Sequence, residues 1–138
     1  YYNAQQLSNS TVVASVTGII GISSVASSTT STQSWSIDVT AQNSANYQLS
    51  GNDRNGTVTG NDPTVTIALG DTLNFNVDAP GHPFYLKTQS GTGTANQVSG
   101  ATNQGTENGT VTWTPTATGT YYYICSLHGG MVGTIIVQ

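Results

Sequence analysis

From Trp35 onward, apolar and polar positions alternate with a period of two. Trp35-Ser36-Ile37-Asp38-Val39, Thr64-Val65-Thr66-Ile67-Ala68-Leu69 and Leu73-Asn74-Phe75-Asn76-Val77 each place every second side chain on one face. That is the signature of a strand with one face buried. Shorter runs follow the same logic at Asn46 to Leu49, Phe84-Tyr85-Leu86, Thr110-Val111-Thr112-Trp113, Tyr121-Tyr122-Tyr123-Ile124 and Gly133-Thr134-Ile135-Ile136-Val137. Gly, Asn, Asp and Pro break these runs roughly every eight to twelve residues, which predicts an all-β sandwich or barrel. Asn55-Gly56 suits a hairpin turn. Residues 88–108 are Gly/Thr/Asn/Gln-rich with few apolar groups, and read as one long loop, a length common in loops with a function.

The first 34 residues have a different texture. Segment 11–25 (TVVASVTGIIGISSV) is apolar and β-branched, and a Ser/Thr run at 27–34 follows it. One reading is one or two extra strands and a linker. Another is an arm, residues 1–34, that self-assembles by pairing with a neighbouring subunit's sheet edge. The expected organisation is therefore a β-rich N-terminal arm at 1–34 and a β-sandwich or barrel domain at 35–138.

Composition narrows the partners. The 138 residues carry only 6% charged side chains, and the cations are Arg54 and Lys87. Two cations make no basic patch, so neither nucleic acid nor an anionic membrane surface is an expected partner. No run is long and apolar enough to predict a membrane span. The chain opens on Tyr1 without the charged and apolar regions of an intact signal peptide, which suggests a processed chain or part of a longer one. The single cysteine excludes an internal disulfide. The charge-poor, Ser/Thr/Asn-rich surface points to an extracytoplasmic setting: periplasmic, secreted, cell-surface or virion-associated.

The chemistry concentrates in two places. The chain has two His, one Cys and one Met, and three of the four stand in Cys125-Ser126-Leu127-His128-Gly129-Gly130-Met131. His82 lies between the runs ending at Val77 and starting at Phe84. Taken singly, His82 is a loop histidine, Cys125 a small buried hydrophobe and Met131 core filler. Together they form a soft donor set. Thiolate and thioether suit copper(I), imidazole suits either oxidation state, and two His with one Cys and a weak axial Met form a type 1 (blue) copper site. The candidate metal ligands are His82, Cys125, His128 and Met131, holding one copper ion. Zinc prefers four firm ligands, for which thioether is a poor fourth. Two histidines are too few for the other copper centres of multicopper enzymes. A Cys125/His128 nucleophile pair would project from one tight loop beside a second His and a Met, which argues against a hydrolase.

The segment Gly119-Thr120-Tyr121-Tyr122-Tyr123-Ile124-Cys125-Ser126-Leu127-His128 resembles the ligand-bearing strand and loop of the cupredoxins, the plastocyanin, pseudoazurin and amicyanin group. The short step from His128 to Met131 is most similar to amicyanin. Gly70-Asp71-Thr72-Leu73-Asn74-Phe75 resembles the strand leading to the first histidine ligand. The likeness covers roughly residues 36–138. It implies a Greek-key β-sandwich, a type 1 copper and single-electron transfer without catalysis.

Two positions depart from the family. Pro83 follows His82 where Asn is common, and proline has no backbone N–H. One hydrogen bond to the Cys125 sulfur is then lost, which should favour copper(II) and lower the potential. Ile124 stands where plastocyanins have Tyr before the cysteine. The electron path is therefore expected through the edge of His128, ringed by Leu127, Gly129, Gly130 and Pro83, with redox partner proteins docking there. Asp78 is a candidate partner for His82 or an Asx turn. Tyr121 and Tyr123 share a face with Cys125 and are expected inside, as are Trp35 and Trp113. A second function class stays open: a structural subunit of a filament, surface layer or virion, in which copper is a stabilising staple.

Overall fold

The computed structural model describes residues 30–138. The strands expected within 11–25, and the proposed arm as far as residue 29, lie outside the described residues. The chain divides between Ser31 and Thr32, and the following concerns the unit beginning at Thr32.

Nine strands and no helix occur among the described residues: β1 (Ser34–Thr40), β2 (Gln48–Asp53), β3 (Gly56–Asn61), β4 (Val65–Ile67), β5 (Thr72–Asp78), β6 (Phe84–Lys87), β7 (Asn108–Trp113), β8 (Gly119–Cys125) and β9 (Val132–Val137). They form two sheets, ordered β3-β2-β1-β5-β7 and β4-β9-β8-β6. Both sheets are mixed, since β1 runs parallel to β5 and β4 parallel to β9. The fold is an all-β sandwich.

Most alternating runs bury their expected faces, but the run at 64–69 does not keep its alternation: Val65, Thr66 and Ile67 of β4 are all buried, and Leu69 beyond the strand end is exposed. Ile37, Val39, Leu73, Phe75, Val77, Val111, Trp113, Tyr123, Ile135 and Val137 are all buried. Phe75, Phe84 and Tyr123 pack ring against ring, with centroids 5.0 to 5.8 Å apart. Tyr121 is half-buried against this core, its ring edge-on to Trp113. Trp35, expected inside, is only half-buried, and its indole N–H donates to Asp71 Oδ2 at 2.9 Å. An indole with a polar partner sits well at a boundary.

β3 has no counterpart in the hydrophobic pattern. Its sequence is GTVTGN, and only Val58 is buried. Its register against β2 defines it instead, from Gln48↔Asn61 to Asp53↔Gly56. The hairpin loop is Arg54-Asn55, and the left-handed backbone falls on Gly56 just after it (φ 115°), a conformation open to glycine.

The solvent face of the first sheet is a ladder of neutral groups apart from the Asp38 carboxylate. Asn76 Nδ2 donates to Ser36 Oγ and to Asp38 Oδ1, and its Oδ1 accepts from Thr110. Asn74 repeats the pattern with Ser34, the Trp35 carbonyl and Thr112. A polar surface so poor in charge is thus held by amide–hydroxyl pairs across β1, β5 and β7.

One close approach fixes the second sheet. Gly133 is opposite Tyr123 in the β8–β9 register, and a Cβ at Gly133 would land in the Tyr123 ring. Gly133→Ala is expected to cost about 3 kcal/mol, the upper part of the range for overpacking. Thermal unfolding of the variant checks this.

Candidate metal centre

Both loops that carry the candidate ligands leave interior strands. β5, between β1 and β7, leads to His82, and β8, between β9 and β6, ends at Cys125. An interior strand is paired on both edges, so its end is a firm anchor.

Within the second loop the backbone closes on itself. Cys125 N donates to Met131 O at 3.0 Å, and Met131 N donates to His128 O at 3.1 Å. Cys125 and Met131 are fully buried. His128 is half-buried, and Leu127 beside it is 62% exposed. Gly129 and Gly130 are exposed in this loop, with room for a Cβ at either position. A Cβ on Gly129 would sit 3.5 Å from the Thr92 methyl, and one on Gly130 would sit 3.6 Å from the Ala45 carbonyl.

The His82 loop is held from three sides. His82 N turns back to Ala79 O at 3.0 Å. Glu107 grips the loop twice: its carbonyl accepts from Ala79 N at 2.9 Å and its carboxylate from Gly81 N at 2.8 Å. The Tyr47 hydroxyl donates to His82 O at 2.8 Å. Asp78 is exposed, and among the described residues the carboxylate contact to this loop comes from Glu107. Pro83 lacks an N–H, yet its carbonyl accepts from Ser126 N at 3.1 Å, so the two ligand loops are joined in the opposite direction.

These constraints bring three donors together. His82 Nδ1 lies 3.8 Å from Cys125 Sγ, His128 Nδ1 lies 3.5 Å from it, and the three ligand atoms all lie within 4.8 Å of one another. One first-row ion bridges such gaps, since its bonds to nitrogen and sulfur run about 2.0–2.3 Å. The residues therefore fit a mononuclear centre. The imidazole rings are tilted by 52° with centroids 5.0 Å apart. Met131 is buried at the end of the same turn.

Three supports were not visible in the sequence. Tyr47 is fully buried, its ring edge-on to His82. Burial foremost, and then the facing Cys125 sulfur, push its hydroxyl far above the usual range, so it stays a donor. Glu107 sat unmarked at the end of the long loop. Lys87 is buried and donates to the Gly91 carbonyl at 2.6 Å, with the Thr92 and Gly93 carbonyls also in reach. It thereby shapes the stretch whose Gly93 N donates to Ser126 O at 2.8 Å.

A β-sandwich with two imidazoles and a thiolate converging at one end defines a small single-metal protein. Residues 32–138 match the family of copper binding proteins described as the plastocyanin/azurin family, and the chain belongs to that family, the cupredoxins. Its centre is a type 1 copper site for one ion. The chain is similar to solved structures of rusticyanin. Reduced rusticyanin, determined by NMR, is 22% identical with a TM-score of 0.50, covering 76% of this chain and 77% of that one. Rusticyanin from Thiobacillus ferrooxidans is 21% identical with a TM-score of 0.47, covering 79% of each chain. No curated protein matches.

Proposed function

We propose that this protein is a one-electron carrier, with His82, Cys125 and His128 as equatorial ligands and Met131 as the weak axial ligand. Bound copper would supply the exchange between its two oxidation states. The convergence of Nδ1, Sγ and Nδ1 on two hydrogen-bonded loops supports this reading most strongly. The chain's part is to hold those donors still. Cys125 is locked by its backbone bond to Met131, His82 by Glu107 and Tyr47, and both loops by the Pro83–Ser126 link. Donors fixed by such supports keep one geometry while the charge of the centre changes.

His128 is the route for the electron. It is half-buried beside exposed Leu127, Gly129 and Gly130, which offers a small apolar face to a donor or acceptor protein. With Arg54 and Lys87 as its cations, the protein steers partners weakly, and salt has little effect on the rate. The neutral polar surface favours an extracytoplasmic setting.

The test is redox cycling of the loaded protein. One equivalent of copper(II) added to the reduced-thiol protein should produce an intense visible band. Ascorbate should bleach it and ferricyanide restore it, with titration ending at one copper per chain. Copper bound without such a band, or a band that does not return, overturns the proposal.

A further inference from the structure

We propose that Tyr47 is a positioning residue for the ligand His82, fixing the His82 carbonyl through its hydroxyl and so setting where the imidazole can reach. The inference rests on reading His82 and Cys125 as copper ligands. It adds residues 41–47 to the segments that position the two ligand loops.

The ring is held rigidly from behind. Asp62 N donates to Tyr47 O at 2.8 Å, and Tyr47 N donates to Asp62 Oδ1 at 2.9 Å. This two-way clamp holds Asp62 at φ 46°, a left-handed conformation that costs a non-glycine residue free energy and persists only where its surroundings enforce it. The ring then packs edge-on to Phe84, centroids 5.2 Å apart, and against Tyr123 at 6.5 Å. Its hydroxyl is therefore a fixed point.

That fixed point acts on the ligand. The direction of the His82 carbonyl reports the ψ angle of His82, and holding it 2.8 Å from the phenol oxygen restricts ψ and thus the ring's approach to Cys125. The same segment brings the Ala45 carbonyl beside Gly130, on the other ligand loop. Burial alone does not require this placement. Tyr123 is equally buried, yet its hydroxyl donates to Pro63 O at 2.7 Å, a residue of neither ligand loop.

The two tyrosines give a matched experiment. Tyr47→Phe and Tyr123→Phe each remove one buried hydroxyl bonded to one carbonyl. In the metal-free protein the His82 amide donates to Ala79 O and exchanges only when that turn opens. Its exchange should therefore become about fivefold faster in Tyr47→Phe, where one bond holding the loop is lost, and stay at the parent rate in Tyr123→Phe. In the copper-loaded protein, Tyr47→Phe alone should shift the sulfur-to-copper band and hasten copper release. Asp62→Ala, which frees the Tyr47 backbone, should move the same readouts in the same direction. Equal His82 exchange in both tyrosine variants, with the parent's band and release rate in Tyr47→Phe, overturns the proposal. A parent protein that gains no band on copper addition overturns the carrier reading instead, and His82 exchange still decides the role of Tyr47.

Discussion

Replacing Asp71 with alanine is expected to lower the free energy of unfolding at pH 7 by about 3 kcal/mol, the low end of the cost of breaking a buried ion pair. The low end applies because Arg54 remains 16% exposed and its charge stays partly hydrated, whereas Asp71 is fully buried. The carboxylate is a junction. It accepts from Gln33 N and the Trp35 indole at the start of β1, from Arg54 Nε and Nη2 on the β2–β3 turn, and from Ala68 N just after β4. Removing it leaves donors from both sheets without their acceptor. The pH dependence follows from the same contacts. The Arg54 guanidinium foremost, helped by the N–H donors of Ala68, Trp35 and Gln33, holds the Asp71 carboxyl well below the usual carboxylate range despite burial. A depressed carboxyl stabilises the fold above its unfolded value, about pH 3.9, and that stability is lost as pH falls further. Urea denaturation should therefore show a wide gap between parent and variant at neutral pH that narrows on acidification. A gap of the same width across the acid range would contradict this account.

Cys125→Ser is expected to abolish the intense visible band and weaken copper(I) binding by more than about 100-fold, the upper cost of losing even a supporting group around a metal. Serine keeps nearly the same shape but offers a hard oxygen in place of the soft thiolate. Cys125 is fully buried, so the new hydroxyl also enters a site built for sulfur, at a cost of about 1–3 kcal/mol. His128→Ala separates the two effects. That side chain is only half-buried, so its loss should spare stability while still degrading the band. Near-ultraviolet circular dichroism, which reads the packing of Tyr47, Phe75, Phe84 and Tyr123, checks that both variants remain folded. A serine variant that kept an intense band would mean that the thiolate is not the source of the colour.

The metal chemistry was legible because its parts are rare. One Cys, one Met and two His confined to two short segments leave little room for coincidence, and strands with strict alternation announced the scaffold. What escaped notice was built from common residues meeting over long separations. β3 buries one side chain, so no apolar pattern marks it. Asp71 stood within the segment resembling the strand toward the first histidine, and nothing local tied it to Arg54, 17 residues earlier. Tyr47 reaches a backbone carbonyl 35 residues on, and a carbonyl leaves no trace in a sequence. The absent N–H of Pro83 was visible in the sequence, whereas the link through its carbonyl needed the fold.

The Asn–Thr–Ser ladder across β1, β5 and β7 bears on where such a molecule keeps its shape. Charged surface networks lose strength in brine, because mobile ions screen them, and in acid, because carboxylates take up protons. Paired amides and hydroxyls do neither. With Asp38 as the ionisable member of the rungs described, this face should hold as firmly in concentrated salt or sour water as in dilute neutral buffer. Acid then attacks the fold at carboxylate junctions such as Asp71 rather than at this ladder.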